Sequence, residues 1–246
     1  MAMTGPAKKI LQRLLGSVGL RLVRADGPAT RSTMDGAFRA LVRRNHGFRT
    51  VVDVGASNGS WSAALMRYFP GCEYLLVEAL RIHEPALREY CRKHGNAHYV
   101  VAAAGERKGT VYFEGGDDPF GGQASSVPGA GRTVVPVVTL DDEIAVRKLP
   151  GPYLLKLDTH GYELPILRGA AATLADTEVI VMECYNFRIS PECLTFPEMC
   201  AWLGERGFRC IDLADPLHRP YDDSFWQMDL VFVRDTRPEF AYQRYR

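Results

Sequence analysis

The 246-residue sequence lacks several patterns that would assign it to a common class. Its formal net charge is only +1, so no overall field attracts nucleic acid or an acidic membrane. The six cysteines form no C-x-x-C pair, which disfavours a zinc ribbon or a thioredoxin-like site. No apolar run approaches the roughly 18–20 residues of a membrane-spanning helix. We therefore expect a cytoplasmic protein whose cysteines are reduced and act as small hydrophobic residues.

The N-terminus has a basic face and an apolar face but lacks the features of a signal peptide. Lys8, Lys9 and Arg13 lie among apolar residues at helical spacing, and no small-residue cleavage site follows. Two interpretations of a helical leader over 1–33 stay open. It packs on the following domain, or it lies on a membrane surface as a peripheral contact. The pattern does not indicate an oligomeric state.

Short apolar runs alternate with helical patterns over most of the remaining chain. The predicted main strands are 50–54, 74–78, 98–103, 153–158, 179–183, 208–213 and 228–233, and 134–138 is a further extended run. The predicted helices are 34–45, 61–69, 84–94, 162–174 and one that the capping box Thr195-x-x-Glu198 opens. This alternation predicts a single α/β domain over 34–246, with a doubly wound, mostly parallel, Rossmann-like sheet of seven strands.

Segment 115–131 interrupts this alternation. It is rich in glycine, serine and proline and contains the consecutive acids Asp117 and Asp118. Long loops in compact domains are often functional. We expect this loop to cover a bound substrate, called the acceptor below, with Gln123, Ser125 and Ser126 available as hydrogen-bond partners.

The turn after the first strand is the main candidate for a cofactor site. Glycines there let a backbone approach a ligand, and the next helix offers free N–H groups. The dinucleotide pattern G-x-G-x-x-G fails, because its second and third positions fall on Ser57 and Ser60. Asp53 is placed to pair an amino group, and Glu78, at the end of the next strand, to bind ribose hydroxyls. These two acids suit S-adenosylmethionine better than a pyrophosphate.

The sequence also resembles the FkbM-type family, a branch of the class I S-adenosylmethionine-dependent methyltransferases. The resemblance covers roughly 34–233 and rests on VVDVGASNG (51–59), LVE (76–78), TLD (139–141), LKLDTHGYE (155–163), LRGA (167–170), VME (181–183) and MDLVF (228–232). It implies methyl transfer, usually to a hydroxyl oxygen on a sugar, polyketide or other small molecule. It also implies that Asp53, Gly55 and the turn hold the methionine end of the cofactor while Glu78 holds the ribose.

Two residues depart from the family pattern. The family usually has Asn after Gly-Ala, where this chain has Ser57 and places Asn58 next. His160 stands where the family often has Glu or Gln. The full set of expected cofactor contacts is Asp53, Gly55, Ala56, Ser57, Asn58, Gly59, Glu78, Ala103 and Asp158.

Methyl transfer from a sulfonium mostly requires alignment and electrostatics, since the leaving group is already good. A hydroxyl acceptor must also lose its proton to a base or at a metal. We expect His160 or Asp158 to take that proton. Asp158, His160 and Glu163 form the expected catalytic set, and the expected acceptor contacts are Lys156, Gln123, Ser125 and Glu183.

Each of these residues also has a structural interpretation. Lys156 pairs with a carboxylate on the same strand face, Glu163 complements a helix dipole, and His160 is a loop residue without a chemical role. Asp158, Glu163 and Glu183 offer oxygen ligands of the magnesium type. They form no compact ligand motif, so we expect no metal.

Two other functions compete, and a third is disfavoured. One is a nicotinamide-dependent oxidoreductase, which the glycine spacing disfavours, and another is a non-catalytic S-adenosylmethionine-binding module. Nucleic-acid methylation is disfavoured by the near-neutral charge and by the absence of an Asn/Asp-Pro-Pro-Tyr motif at Asp158. Five aromatic residues in the C-terminal part of the chain have two interpretations: they form a surface that stacks on a sugar ring, or they pack in the core and at its rim. They are Tyr185, Phe187, Tyr221, Phe225 and Trp226.

Overall fold

The computed structural model describes residue 15 and residues 30–114, 122–125, 128–129 and 131–245. Most of the expected leader over 1–33, and Ser126, lie outside these residues, so the predictions made for them stay predictions. Among the described helices, none is long and apolar enough to cross a membrane. The six cysteines, all within the described residues, are free thiols.

A seven-stranded sheet forms the centre of the fold, as predicted. Its strands are β1 (Thr50–Val54), β2 (Glu73–Glu78), β3 (Ala97–Val101), β8 (Tyr153–Leu157), β9 (Thr177–Tyr185), β10 (Phe208–His218) and β11 (Phe225–Arg234). Their order across the sheet is β10-β11-β9-β8-β1-β2-β3. Only β11 runs antiparallel to its neighbours, so the sheet is mostly parallel, as the alternating pattern indicated.

A second sheet of four strands was not predicted. It consists of β4 (Ala103–Ala104), β5 (Gly109–Glu114), β6 (Gln123–Ser125) and β7 (Thr133–Val138), in the order β4-β7-β5-β6. The prediction of one strand over 98–103 was wrong, because β3 ends at Val101 and β4 pairs with β7 instead. The prediction of a continuous loop over 115–131 was also wrong, because β6 pairs antiparallel with β5.

The described helices pack on both faces of the central sheet. They are α1 (Met34–Arg43), α2 (Ser60–Met66), α3 (Glu84–Lys93), α4 (Leu140–Arg147), α5 (Glu163–Arg168), α6 (Ala171–Ala175) and α7 (Phe196–Gly204), with 3₁₀ turns at Arg81–His83 and Pro238–Phe240. The Thr195 capping box is confirmed, since its backbone N donates to Glu198 Oε2 at 2.9 Å. The helix predicted over 162–174 is two helices. A Cβ on Gly169 would lie 2.0 Å from the Gly105 carbonyl oxygen, so the backbones meet closely where the helix breaks.

The core is divided by the central sheet. Alternate residues of β1 point to opposite faces: Val52 and Val54 join one buried cluster, and Val51 joins the other. Strands buried on both faces are typical of a parallel sheet covered by helices. The strand order reverses at β1, with β2 on one side and β8 on the other. In such sheets, ligands bind beyond the carboxyl ends of the strands at this reversal.

Candidate active site

A cavity of about 270 Å³ lies at this reversal, beyond the carboxyl ends of β1, β2 and β8. The β1 turn and the end of β2 line one part of it, and Asp158 and His160 line an adjoining part. Phe113 and Ala124 of the second sheet, and Gly122 directly before β6, line it as well. The unpredicted sheet therefore forms part of the enclosure of the site.

The β1 turn requires its glycines for conformation and for close packing. Gly55 has φ +75°, and a Cβ there would lie 1.9 Å from the Asp158 carbonyl oxygen. Ser57 also adopts the left-handed region, with φ +49°, where Asn is more readily accommodated than Ser. This conformation explains why the family's Asn fits at this position. Asn58 instead accepts a hydrogen bond from the Ser60 N at 3.0 Å and closes the turn.

Glu78 connects the turn to the segment after β2. Its two carboxylate oxygens accept hydrogen bonds from the Ser57 N at 2.7 Å and the Leu80 N at 2.8 Å. The side chain is buried yet belongs to the cavity lining. Carboxylate lone pairs exceed these two bonds, so Glu78 can hold the turn and still accept from a ligand hydroxyl.

Two buried donors in this part of the cavity have no hydrogen-bond partner among the described residues. Ser57 Oγ and Trp61 Nε1 are enclosed atoms without a hydrogen bond, and both residues line the cavity. Buried polar groups are normally paired. Their positions fit a polar ligand group, such as the carboxylate of an amino acid. The residues present therefore suit the methionine end and the ribose of S-adenosylmethionine.

Several expected cofactor residues line the cavity and others lie behind it. Gly55, Ala56, Ser57, Glu78, Ala103 and Asp158 are lining residues, whereas Asp53, Asn58 and Gly59 are not. Gly59 packs against Leu76 and Tyr90. Asp53 is fully buried, and its Oδ2 accepts a hydrogen bond from Ser62 Oγ at 2.6 Å. Direct contact between Asp53 and the cofactor stays a prediction.

Lys156 joins the two ends of the cavity. Its buried ammonium lies 3.0 Å from Asp53 Oδ1 and 3.4 Å from Asp158 Oδ2. It also donates a hydrogen bond to the Gly55 carbonyl oxygen at 2.9 Å. Burial alone would lower the pKa of Lys156, but the charges of Asp53 and Asp158 outweigh it, so the pKa is raised. The expected carboxylate pairing is therefore present, and Lys156 also lines the cavity.

At the other end, three side chains converge on one point. His160 Nε2 lies 3.5 Å from Asp158 Oδ1 and 3.8 Å from Glu183 Oε2. Asp158 follows β8 directly, and Glu183 belongs to β9, which pairs with β8. The ends of β8 and β9 thus bring Glu183 close to Asp158 and His160, from which it is distant in the sequence.

Glu183 lies within a larger acidic and polar group. It accepts hydrogen bonds from the Tyr185 hydroxyl and the Gln227 amide, and it is the cross-strand neighbour of Asp229. Burial and then the charge of Asp158 raise the pKa of Glu183 to about 7. Burial and then Glu183 raise the pKa of Asp229 to about 7 as well. Gln227 and Asp229 were missed as site residues, because only the β9–β11 register places them there. Tyr185 was expected only as a stacking aromatic residue, not as a partner of Glu183.

Glu163 lies behind the site rather than in it. Its Oε1 accepts hydrogen bonds from Thr159 Oγ1 and the Gly161 N, both at 3.0 Å. The side chain is buried and does not line the cavity. Burial raises the pKa of its carboxyl group. Glu163 thus holds the turn that carries His160, whose φ is +51°.

The expected acceptor contacts on β6 are only partly described. Ser125 Oγ accepts a hydrogen bond from Arg132 at 3.0 Å and lies outside the cavity lining. Nothing is described for the Gln123 side chain. The late aromatic residues pack against each other, with Phe187 and Trp226 stacked at 5.2 Å and the Arg219 guanidinium 4.3 Å from the Phe187 ring centroid.

Three solved methyltransferases are similar to the chain, at low identity and with TM-scores below 0.5. The precorrin-6y C5,15-methyltransferase of Geobacter metallireducens is 12% identical, with 81% of this chain and 87% of that chain covered and a TM-score of 0.42. The magnesium protoporphyrin IX methyltransferase of Synechocystis, solved with bound S-adenosylmethionine, is 12% identical, with 95% and 100% covered and a TM-score of 0.45. An rRNA methylase of Streptococcus thermophilus is 11% identical, with 81% and 94% covered and a TM-score of 0.43.

No curated relative matches the chain. The family model of the methyltransferase FkbM domain matches residues 53–210, which include the β1 turn, Glu78 and the residues that converge on His160. The expectation from the sequence is confirmed at this level: the chain belongs to the FkbM methyltransferase domain family and is an S-adenosylmethionine-dependent methyltransferase.

Proposed function

We propose that this enzyme methylates a hydroxyl oxygen of a sugar, a polyketide or another small molecule. The observation that carries the proposal is the continuity of one cavity, which runs from the β1 turn to Asp158 and His160. A hydroxyl placed at the second end lies beside groups that can accept its proton. We assign the reaction to the domain over 34–246.

The cofactor end holds S-adenosylmethionine through the turn and the end of β2. Ser57 and Trp61 offer buried donors to its carboxylate, Glu78 accepts from its ribose, and Ala103 packs against it. When bound, the cofactor supplies a methyl group on a sulfonium that leaves readily. In the transfer, an oxygen lone pair forms the new bond to the methyl carbon, while the C–S electron pair stays on sulfur.

The acceptor end removes the hydroxyl proton. Asp158 and Glu183 each approach His160 within a few ångström. The Lys156 ammonium keeps the Asp158 carboxylate oriented through their ion pair. Glu163 acts indirectly, since it fixes the turn around His160. A hydroxyl that loses its proton as it attacks requires a group within hydrogen-bond reach, and this cluster provides three.

The aromatic residues near the end of the chain offer a surface for the acceptor. Tyr185 contacts both Glu183, through its hydroxyl, and the Trp226 ring, at 6.2 Å between centroids. The aromatic packing therefore begins beside the proton-accepting cluster. Such a surface stacks well on the apolar face of a sugar ring.

A labelled-methyl assay tests the proposal. The purified chain is incubated with methyl-labelled S-adenosylmethionine and a panel of sugars, polyketides and, for contrast, amines and RNA. We expect label on a hydroxyl oxygen, and we expect His160→Ala to lower kcat by about 10²–10⁴-fold at saturating cofactor.

The matched control is His98→Ala, because His98 lies on β3 with 42% of its side chain exposed. It should keep full activity. Transfer to nitrogen or to RNA alone, or a loss below about threefold in His160→Ala against this general-base range, would contradict the proposal. Cofactor binding without transfer to any acceptor would support the non-catalytic alternative instead.

A further inference from the structure

The three side chains at the acceptor end form a mixed set of metal ligands. Asp158, His160 and Glu183 each offer one ligand atom, and these atoms all lie within 4.8 Å of one another. The side chains are 39%, 29% and 12% exposed. They are thus withdrawn from bulk water yet accessible from it. Among the described residues, no other group of three or more His, Cys, Asp or Glu side chains brings its ligand atoms this close together.

The orientation of His160 is that of a metal ligand. Its Nδ1 lies 3.1 Å from the Gly122 carbonyl oxygen. A carbonyl only accepts hydrogen bonds, so Nδ1 carries a proton in this contact. In the neutral ring, Nε2 then presents its lone pair toward Asp158 and Glu183. Metal-binding histidines are commonly fixed in this way, through a backbone carbonyl on the other ring nitrogen.

The backbone around His160 supports the same orientation. His160 and Gly161 have φ angles of +51° and +91°. The Glu163 carboxylate holds this turn through the Gly161 N. In this tautomer the Nε2 lone pair and the oxygens of Asp158 and Glu183 are three ligand atoms within 4.8 Å of one another. The geometry therefore has a place for a cation.

We propose that Asp158, His160 and Glu183 bind one divalent cation of the first-row transition type. Carboxylates alone suit magnesium or calcium, but an imidazole ligand favours ions such as manganese, iron or zinc. This donor set differs from the magnesium set considered from the sequence, since Glu163 is turned toward Gly161. Three protein ligands leave coordination positions open, as in catalytic metal sites.

The role of the ion rests on the proposed hydroxyl methylation, in which the ion would take over proton removal from the three side chains that bind it. An acceptor hydroxyl that takes an open position would lose its proton to solvent more readily. Its oxygen would then be held beside the cofactor end of the cavity. Binding of the ion itself does not depend on methyl transfer, so it can be tested with the metal alone.

Manganese binding tests the proposal directly. The full chain is treated with EDTA, dialysed and titrated with MnCl₂, and free Mn²⁺ is followed by its electron paramagnetic resonance signal. We expect one ion per chain. The pulsed spectrum of the bound ion should show ¹⁴N modulation from the His160 ring.

Single substitutions should remove this site. His160→Gln should abolish the ¹⁴N modulation, and Glu183→Gln and Asp158→Asn should each weaken Mn²⁺ binding at least about tenfold. Glu89→Gln is the matched control, because Glu89 is a surface acid of α3 with 46% of its side chain exposed. It should bind Mn²⁺ like the parent chain. Asp158→Asn also serves as the second variant if Glu183→Gln unfolds.

Two results would overturn the proposal. One is Mn²⁺ binding too weak to detect in the parent chain. The other is bound Mn²⁺ without ¹⁴N modulation and with the same affinity in all three variants. Calorimetry with S-adenosylhomocysteine on the same samples separates this failure from that of the proposed function. If the chain binds S-adenosylhomocysteine but not Mn²⁺, only the metal site is contradicted.

Discussion

The cofactor end and the acceptor end of the cavity are built in different ways. At the cofactor end, the cavity is lined by residues from 54–61 and 77–80. The backbone N–H groups of Ser57 and Leu80 hold the Glu78 carboxylate there. At the acceptor end, charged side chains from β8, β9 and the following turn converge, and β11 supplies Asp229 beside them. A backbone cradle tolerates little change in conformation, whereas a side-chain cluster tolerates changes in chemistry. One family can therefore keep its cofactor site while its acceptors differ.

The largest expected effect comes from Lys156, which links the two ends. Lys156→Met leaves Asp53 buried without its cation, and breaking a buried pair typically costs about 3–5 kcal/mol. We expect a loss of this size in the free energy of unfolding, measured in urea. The double variant Asp53→Asn/Lys156→Met should recover part of it. Lys93→Met, on the surface of α3, should change stability by less than about 0.5 kcal/mol, and a loss equal to this control would contradict the linkage.

Gly55→Ala tests the close contact between the ends. The added Cβ would meet the Asp158 carbonyl at 1.9 Å, at a φ of +75°. A left-handed non-glycine residue alone costs about 1–3 kcal/mol, and the clash adds to it. We expect a lower unfolding temperature and loss of measurable S-adenosylhomocysteine binding. Gly71→Ala is the control, since a Cβ at that position would have no neighbouring atom within 4 Å, and equal behaviour of the two variants would count against the cradle.

Glu78→Gln sharpens the comparison at the cofactor end. The amide keeps one acceptor but places an NH₂ group against one of the two backbone donors, Ser57 N or Leu80 N. We expect the Kd of S-adenosylhomocysteine to rise about tenfold, which is about 1.4 kcal/mol, with KM for the acceptor unchanged. Glu73→Gln, on the same strand with 39% of its side chain exposed, should leave both constants unchanged. A rise in the KM for the acceptor alone would mean that Glu78 acts on the acceptor, which contradicts its assignment to the cofactor end.

Glu163→Gln should give the smallest effect, and only at the acceptor end. The amide still accepts from Thr159 or Gly161 but holds the His160 turn less firmly. We expect kcat to fall about threefold to tenfold, or about 0.6–1.4 kcal/mol in the barrier. Cofactor affinity measured by calorimetry should not change. A fall as large as that of His160→Ala would mean that Glu163 takes part in the chemistry itself.

The turn after β1 and the end of β2 could be located from the sequence because their determinants are local. Gly55, Ser57 and Glu78 belong to one strand–turn–helix–strand unit, and the alternating pattern was enough to place them. The same holds for the capping box at Thr195, which depends on residues three positions apart.

The sequence did not predict features that depend on distant partners. The run over 134–138, which is β7, was recognised as extended, but its partner β6 lies in a glycine-rich segment without strand periodicity. The pairing of β5 with β6 and β7 was therefore missed. The helix predicted over 162–174 is interrupted at Gly169, where the backbone contacts that of Gly105, 64 residues earlier in the sequence. The neighbourhood of Glu183 depends on the register of β9 with β11, which no local pattern encodes.

Isothermal titration of the wild-type chain with S-adenosylhomocysteine, and separately with NADH, tests the central claim most directly. The cavity beyond β1 and β2 should bind one S-adenosylhomocysteine per chain with a single-site isotherm, and it should release no binding heat with NADH. A folded chain that binds NADH, or that binds neither nucleotide, would contradict the assignment of this cavity to the sulfonium cofactor.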